Sequence, residues 1–239
     1  MKYVFWLLLL SGLAGQATHA QTLPNGQVRP VKRFNAIRIG NGIALDIVAG
    51  REQHLEVGAA TTEFRERIRT TVTDGLLLIS YDDLLERDNR KQQRVEHQLH
   101  VTITTELLTM LTAGSGAVVQ GQGSFAAPDC VLDINSGASL TATGLSPDVL
   151  VVRLNSGGTA TLAGQAPRLD VRVLGGSTLN AERLQSTRGQ VEASGGSTVR
   201  VAVREALLVE ASGKSEVRYA GSPTLTEDVS ANSKLRKLN

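Results

Sequence analysis

The chain reads as an all-β protein, a parallel β-solenoid with rungs of about 18–21 residues. Three observations carry that expectation. One phrase returns seven times between residues 111 and 235, apolar residues stand two apart on both sides of a glycine turn in each copy, and aromatic residues make up only 3% of the composition. The copies run LTAGSGAVVQG, LDINSGASLTA, VRLNSGGTATL, VRVLGGSTLNA, VEASGGSTVRV, VEASGKSEVRY and EDVSANSKLRK.

Each copy can be anchored on its turn residue: Gly116, Gly137, Gly157, Gly176, Gly196, Lys214 or Asn232. Five residues before the anchor stand Leu111, Leu132, Val152, Val171, Val191, Val209 and Glu227, and three before it Ala113, Ile134, Leu154, Val173, Ala193, Ala211 and Val229. Three after it come Val119, Leu140, Ala160, Leu179, Val199, Val217 and Leu235, and five after it Gly121, Ala142, Leu162, Ala181, Val201, Tyr219 and Lys237. A spacing of two places these residues on one face of a strand, whereas a helix would bring them back at three and four. The positions in between, such as Thr141, Thr161, Arg153 and Arg172, are polar and belong on the outward face.

The anchor has a backbone reason. Ser-Gly and Gly-Gly pairs tolerate positive φ and let the chain reverse sharply. Asn232 is the next most permissive residue, and Gly213 is expected to take over the turn where Lys214 breaks the column. A twenty-residue period is too short for a helical hairpin or a propeller blade, and suits rungs stacked ~4.8 Å apart. A narrow core of Val, Leu, Ile and Ala needs few aromatics.

Residues 1–20 have the form of a signal peptide: Lys2, an apolar run, then Thr18-His19-Ala20 at a cleavage point. Removal after Ala20 leaves 219 residues (239 − 20), with 24 basic residues (25 less Lys2) against 23 acidic. That balance argues against a dedicated nucleic-acid binder. An exported protein follows, periplasmic, on the outer surface or secreted, with no transmembrane segment after signal removal. Cys130 is the single cysteine, so no internal disulfide is available, and it is expected half buried beside the Leu132 and Ile134 columns.

Residues 21–33, with Pro24, Gly26 and Pro30, read as a flexible leader. Residues 34–239 form a single β-solenoid domain, its less regular half (34–110) capping the repeats (111–237) while sharing their core. Within that half, strand patterns flank Gly40-Asn41-Gly42, a strand covers residues 54–58, and residues 61–69 offer a helical turn or loop. A hairpin turns at Asp74-Gly75, a charged excursion covers residues 81–96, and a strand starts at His100.

An export signal, Phe34-Asn35-Ala36-Ile37, Leu45-Asp46-Ile47, Asp74-Gly75-Leu76-Leu77-Leu78-Ile79 and repeated Ser-Gly phrases together resemble the bacterial putative auto-transporter adhesin family with a head GIN domain. The resemblance spans roughly residues 34–235. It implies a β-helical envelope protein of Gram-negative bacteria, carries over no catalytic residue, and includes no membrane barrel.

The candidate chemistry is sparse. His97 and His100 point to opposite faces of a strand, and Asp82, Asp83, Glu86 and Asp88 are interleaved with Arg87, Arg90 and Lys91 as in a solvated loop. No catalytic residue, cofactor or metal site is therefore assigned. The glycines form no phosphate loop, and no histidine lies in the repeats to activate a serine. The favoured function is a non-catalytic, adhesin-like binding module that presents outward side-chain ladders to a glycan, an envelope polymer or a protein. The alternative is a carbohydrate-active lyase or hydrolase on the same scaffold, for which Glu192 and Glu210 are the close carboxylate pair.

Four residues after the anchor, Arg200, Arg218 and Arg236 form a row at the end of the repeat, suited to an acidic polysaccharide. The plainer reading is a solvated face balanced by Glu192, Glu210 and Asp228. An oligomer is open, and charges in the last copy, Glu227 and Lys237 among them, are expected to defend a strand edge.

Overall fold

The computed structural model describes residues 25–82, 97–123 and 127–238. The expected signal peptide and most of the charged excursion, with Asp83, Glu86 and Asp88, lie outside them. The elements run β1 (Gln27–Val28), β2 (Ala36–Ile39), β3 (Ala44–Ala49), β4 (His54–Gly58), α1 (Thr62–Arg67), β5 (Ile68–Thr73), β6 (Leu76–Tyr81) and β7 (His100–Thr105). The repeats follow as β8 (Met110–Ala113), β9 (Val118–Gln122), β10 (Asp129–Ile134), β11 (Ser139–Leu145), β12 (Val149–Leu154), β13 (Thr159–Gln165) and β14 (Arg168–Val173). Then come β15 (Thr178–Ala193), β16 (Thr198–Ala211), β17 (Glu216–Ala220), β18 (Thr224–Val229) and β19 (Lys234–Lys237).

Every repeat strand pairs in parallel with its counterpart one rung on. Leu111, Leu132, Val152, Val171, Val191, Val209 and Glu227 are register partners in turn. This builds a first sheet from β8, β10, β12, β14 and the C-terminal halves of β15 and β16, ending at β18. The second sheet holds β9, β11, β13, the N-terminal halves of β15 and β16, then β17 and β19. Because β15 and β16 pass from one sheet into the other, hydrogen bonding joins all nineteen strands of the described residues around one core.

The apolar columns are the core. Leu132, Ile134, Leu140, Val152, Leu154, Val173, Leu179, Val199 and Val217 are buried, and Thr141, Thr161, Arg153 and Arg172 are exposed. Two further columns lie inside: Cys130, Leu150, Leu169 and Leu207, and at the wide corner Leu145, Leu184 and Val203. Cys130 is buried rather than half buried, and burial pushes its thiol up to about 12.

At the narrow corner two consecutive residues take positive φ, as in Ser156 (52°) and Gly157 (77°), and the Gly158 N–H donates to the Asn155 carbonyl at 3.1 Å. This is a reversing turn with both central residues left-handed. Lys214 itself enters that region (67°) beside Gly213 (63°), so the lysine bears a strain that glycine at the other anchors avoids. Asn232 is not among the positive-φ residues, so the last turn differs from the others. The turns are also stitched along the axis: the Gly116, Gly137 and Gly157 N–H groups donate to the Ser136, Ser156 and Gly175 carbonyls, each at 3.1 Å.

The residue after the anchor is always small and, through Ser215, buried: Ala117, Ala138, Gly158, Ser177, Ser197 and Ser215. Its serines are satisfied inside. Ser177 Oγ donates to the Leu174 carbonyl at 2.7 Å, Ser215 Oγ to the Ser212 carbonyl at 2.8 Å, and Ser215 Oγ accepts from the Ser197 N–H at 3.3 Å. At Gly158 a Cβ would stand 2.3 Å from the Ile134 carbonyl oxygen, so only glycine fits there.

The N-terminal half contributes rungs of its own, but out of chain order. β2 lies between β6 and β8, and β3 between β7 and β9, all in parallel. Beyond β6 and β7 the stack ends in antiparallel pairing, with β5 on β6, β4 on β7 and β1 on β4. The cap is therefore β1, β4 and β5 with α1, while β2, β3, β6 and β7 belong to the solenoid. α1 starts at Thr61, whose hydroxyl accepts the Phe64 N–H.

Where a flexible leader was expected, residues 25–29 make definite contacts. Asn25 donates to the Ala59 and Ala60 carbonyls, Gln27 and Val28 pair with β4, and the Arg29 guanidinium donates to the Ile68 and Arg65 carbonyls. Burial and the nearby Arg65 and Arg69 charges lower the pKa of Arg29.

Candidate binding face

The outward side of the second sheet carries one unbroken ladder of register partners from β4 in the cap to the last rung, with Val28 of β1 beside Glu56 at its outer end. It runs Glu56, Thr102, Asp46, Gln120, Thr141, Thr161, Asn180, Arg200, Arg218, Arg236. Nine steps at ~4.8 Å make it ~43 Å long. Strand alternation fixes each side chain outward, since the flanking residues Leu55, Val57, Leu45, Ile47, Val199 and Val201 are all buried.

The arginine row expected from the repeat is thus real as a register: Arg200, Arg218 and Arg236 are successive partners. Its counter-charges differ from the expected ones. Arg200 Nη1 stands 3.4 Å from Glu182 Oε1, and Arg218 donates through Nε and Nη2 to Glu216 Oε1, each at 3.0 Å. That hydrogen bond from Arg218 holds the Glu216 carboxyl below the usual carboxylate range. Glu192, Glu210 and Asp228 lie on the first sheet, where Glu192 is bound by Arg172 at 3.3 Å. Glu192 and Glu210 are adjacent register partners, and Arg172 is ion-paired with the first of them.

The histidines take separate roles. His100 Nε2 lies 2.9 Å from Asp46 Oδ2 on the outward face, while the His97 ring meets Phe64 edge-on at 4.3 Å and stacks against Tyr81 at 5.5 Å. Among the described residues no three His, Cys, Asp or Glu side chains converge on a metal position. No helix among them is long and apolar enough to cross a membrane. A second surface feature is a groove of about 790 Å³ at the wide corner, bordered by Arg168, Thr187, Arg188, Gln190, Glu205 and Thr226. Its charges are tied up by the Arg168–Asp170 and Arg188–Glu205 pairs.

Of the ladder's acidic beginning, Asp46 stands four residues after Gly42, the offset that Arg200 has from Gly196, although it lies outside the seven copies; Glu56 sits on antiparallel β4, and no spacing marks it.

Fold and face define a parallel β-solenoid with long, regular outward side-chain arrays. The chain belongs to the family described as putative auto-transporter adhesin, head GIN domain, whose model matches residues 33–223. Solved structures share the fold. A putative adhesin from Bacteroides fragilis superposes with a TM-score of 0.80 at 18% identity, covering 89% of this chain and 96% of that one. A protein from Parabacteroides distasonis described as a putative lipid binding protein gives 0.69 at 15% identity, covering 92% and 98%. A putative adhesin from Parabacteroides merdae gives 0.63 at 18% identity, covering 90% and 95%. No functionally curated protein matches the sequence.

Proposed function

We propose that this chain is a non-catalytic, exported binding module of the cell envelope, and that the outward face of its second sheet takes an extended acidic polysaccharide at Arg200, Arg218 and Arg236. The observation that supports this reading is the in-register row of guanidinium groups at ~4.8 Å spacing, each able to make a two-point contact with a carboxylate or sulfate. The family's adhesin description and the mostly polar outward surface agree with it. The intramolecular partners Glu182 and Glu216 compete with the ligand, so affinity rests on several rungs acting together.

Purified protein passed over an immobilised acidic polysaccharide should be retained at low salt and released as salt rises. A folded Arg200→Ala, Arg218→Ala variant should lose most of the retention. Unchanged retention by that variant removes the arginine row as the ligand surface. The competing lyase or hydrolase reading is separated by the same column, because it requires shortened polymer in the eluate.

A further inference from the structure

The ladder is complementary to itself. From Glu56 to Arg236 it has ten positions, with Val28 of β1 lying beyond Glu56, and reversing those ten sets Glu56 against Arg236, Thr102 against Arg218, Asp46 against Arg200, Gln120 against Asn180 and Thr141 against Thr161. The neighbouring outward column behaves alike. It runs Gly58, His100, Ala44, Val118, Ser139, Thr159, Thr178, Thr198, Glu216, Lys234, and its reversal sets His100 against Glu216 and Ser139 against Thr159. The charges balance as well. Glu56 and Asp46 give two negatives at one end, while Arg200, Arg218, Arg236 and Lys234 less Glu182 and Glu216 give a net two positives (4 − 2) at the other.

We infer that a second copy of this chain docks on this face, antiparallel, about a two-fold axis that runs along the strand direction between the Thr141 and Thr161 rungs. A two-fold so placed brings the faces together, reverses the solenoid direction and keeps each column opposite itself. It therefore produces both columns of matches at once, as an isologous contact requires. A parallel arrangement would set Arg200, Arg218 and Arg236 against one another. The uncharged middle, with Ser139, Thr159 and Thr178 beside Thr141 and Thr161, permits close approach without an unpaired buried charge.

The contact is modest. A ladder ~43 Å long and three alternate side chains wide, ~13 Å, covers ~600 Å² per copy, below the ~800 Å² of a standard stable interface. Pairing is therefore concentration-dependent and salt-sensitive. Because it uses the arginine row, it also competes with the acidic polymer proposed above, although it does not rest on that ligand.

Sedimentation velocity tests it at low salt over a range of concentrations. The parent protein should form dimers that dissociate as salt is raised. Two charge-reversed variants, Asp46→Lys with Glu56→Lys, and Arg200→Glu with Arg236→Glu, should each be monomeric where the parent is dimeric. An equimolar mixture of the two should dimerise again, since one then offers positive charge at both ends and the other negative. The first variant keeps Arg200, Arg218 and Arg236 and should still be retained by acidic polysaccharide, which separates failure of the pairing from failure of the ligand assignment. A parent that stays monomeric at low salt, a dimer indifferent to both reversals, or folded variants that do not pair on mixing would overturn the inference.

Discussion

Two parts of the solenoid stack by different rules. From β8 onward each rung lies on the one before it in the chain, so chain order and spatial order coincide. In the N-terminal part the chain lays β2 and β3 first, leaves to make β4, α1 and β5, and returns with β6 and β7 on their far side. The early rung is thereby buried on both sides: Ile37 is partnered by Leu77 and Leu111, and Leu45 by Val101 and Val119. The difference shows how a solenoid end is closed. Regular rungs propagate parallel edges, and only antiparallel strands inserted out of sequence, β5 on one sheet and β4 with β1 on the other, terminate the ladder at the first end.

The largest expected effects compare the two parts directly. Leu154→Asp, in the regular stack, leaves an unpaired charge in the core and should cost ~3–5 kcal/mol in equilibrium urea denaturation, against less than ~0.5 for the exposed Thr161→Asp. Ile37→Asp should be as severe as Leu154→Asp, because β2 is an inner rung. A mild effect at Ile37 would return β2 to the edge of the stack.

Gly158→Ala comes next, at ~2–3 kcal/mol, because its Cβ meets a backbone carbonyl that can move only with the neighbouring rung. Gly137→Ala meets nothing within 4 Å and should cost only the left-handed backbone term, ~1–2 kcal/mol. Equal losses at the two glycines would show that rung contact is not what selects glycine at position 158.

A smaller effect follows from Cys130. Its folded pKa is raised from the ordinary 9.0 to about 12, so the neutral thiol's contribution is complete below about 9. It declines as pH rises from about 9 to about 12, where the unfolded chain ionises first. Cys130→Ala should flatten that part of the stability profile, and alkylation of native protein near neutral pH should be slow until urea opens the core. The smallest effect is at Glu216, whose lowered pKa makes its pairing with Arg218 favourable above the carboxylate range and lost as pH falls through the folded value. Glu216→Gln should remove that acid-side decline in a pH series of melting temperatures.

Much of this was legible from residue spacing. The four columns, the reversing turns, the Asp74-Gly75 hairpin and β7 all stand where alternation and turn residues placed them. The wide-corner column was not, because the variation in rung length is absorbed there. Register shifts fall between Ala142 and Leu145, Thr161 and Ala163, and Ala181 and Gln185, so Leu145 and Leu184 stand eight residues after their anchors but Val203 only seven, opposite Ser186. The small inner column was hidden because Ala138, Gly158 and Ser177 look like ordinary turn residues. On the candidate face, Arg200, Arg218 and Arg236 were visible as a repeat position. Their counter-charges were not, since Glu182 lies in a corner outside the columns and Glu216 is the acidic member of a column that is Ser or Thr in the four copies before it.

The ligand proposed above should sit on the outward second sheet. A titration with a short acidic oligosaccharide, followed through the backbone amide resonances, tests it most directly. The shifts should concentrate in residues 198–202, 216–220 and 234–237, weaken toward Gln120, and leave the wide-corner groove around Arg188 and Thr226 unmoved. Shifts confined to that groove, or to the first sheet around Glu192 and Glu210, would contradict it.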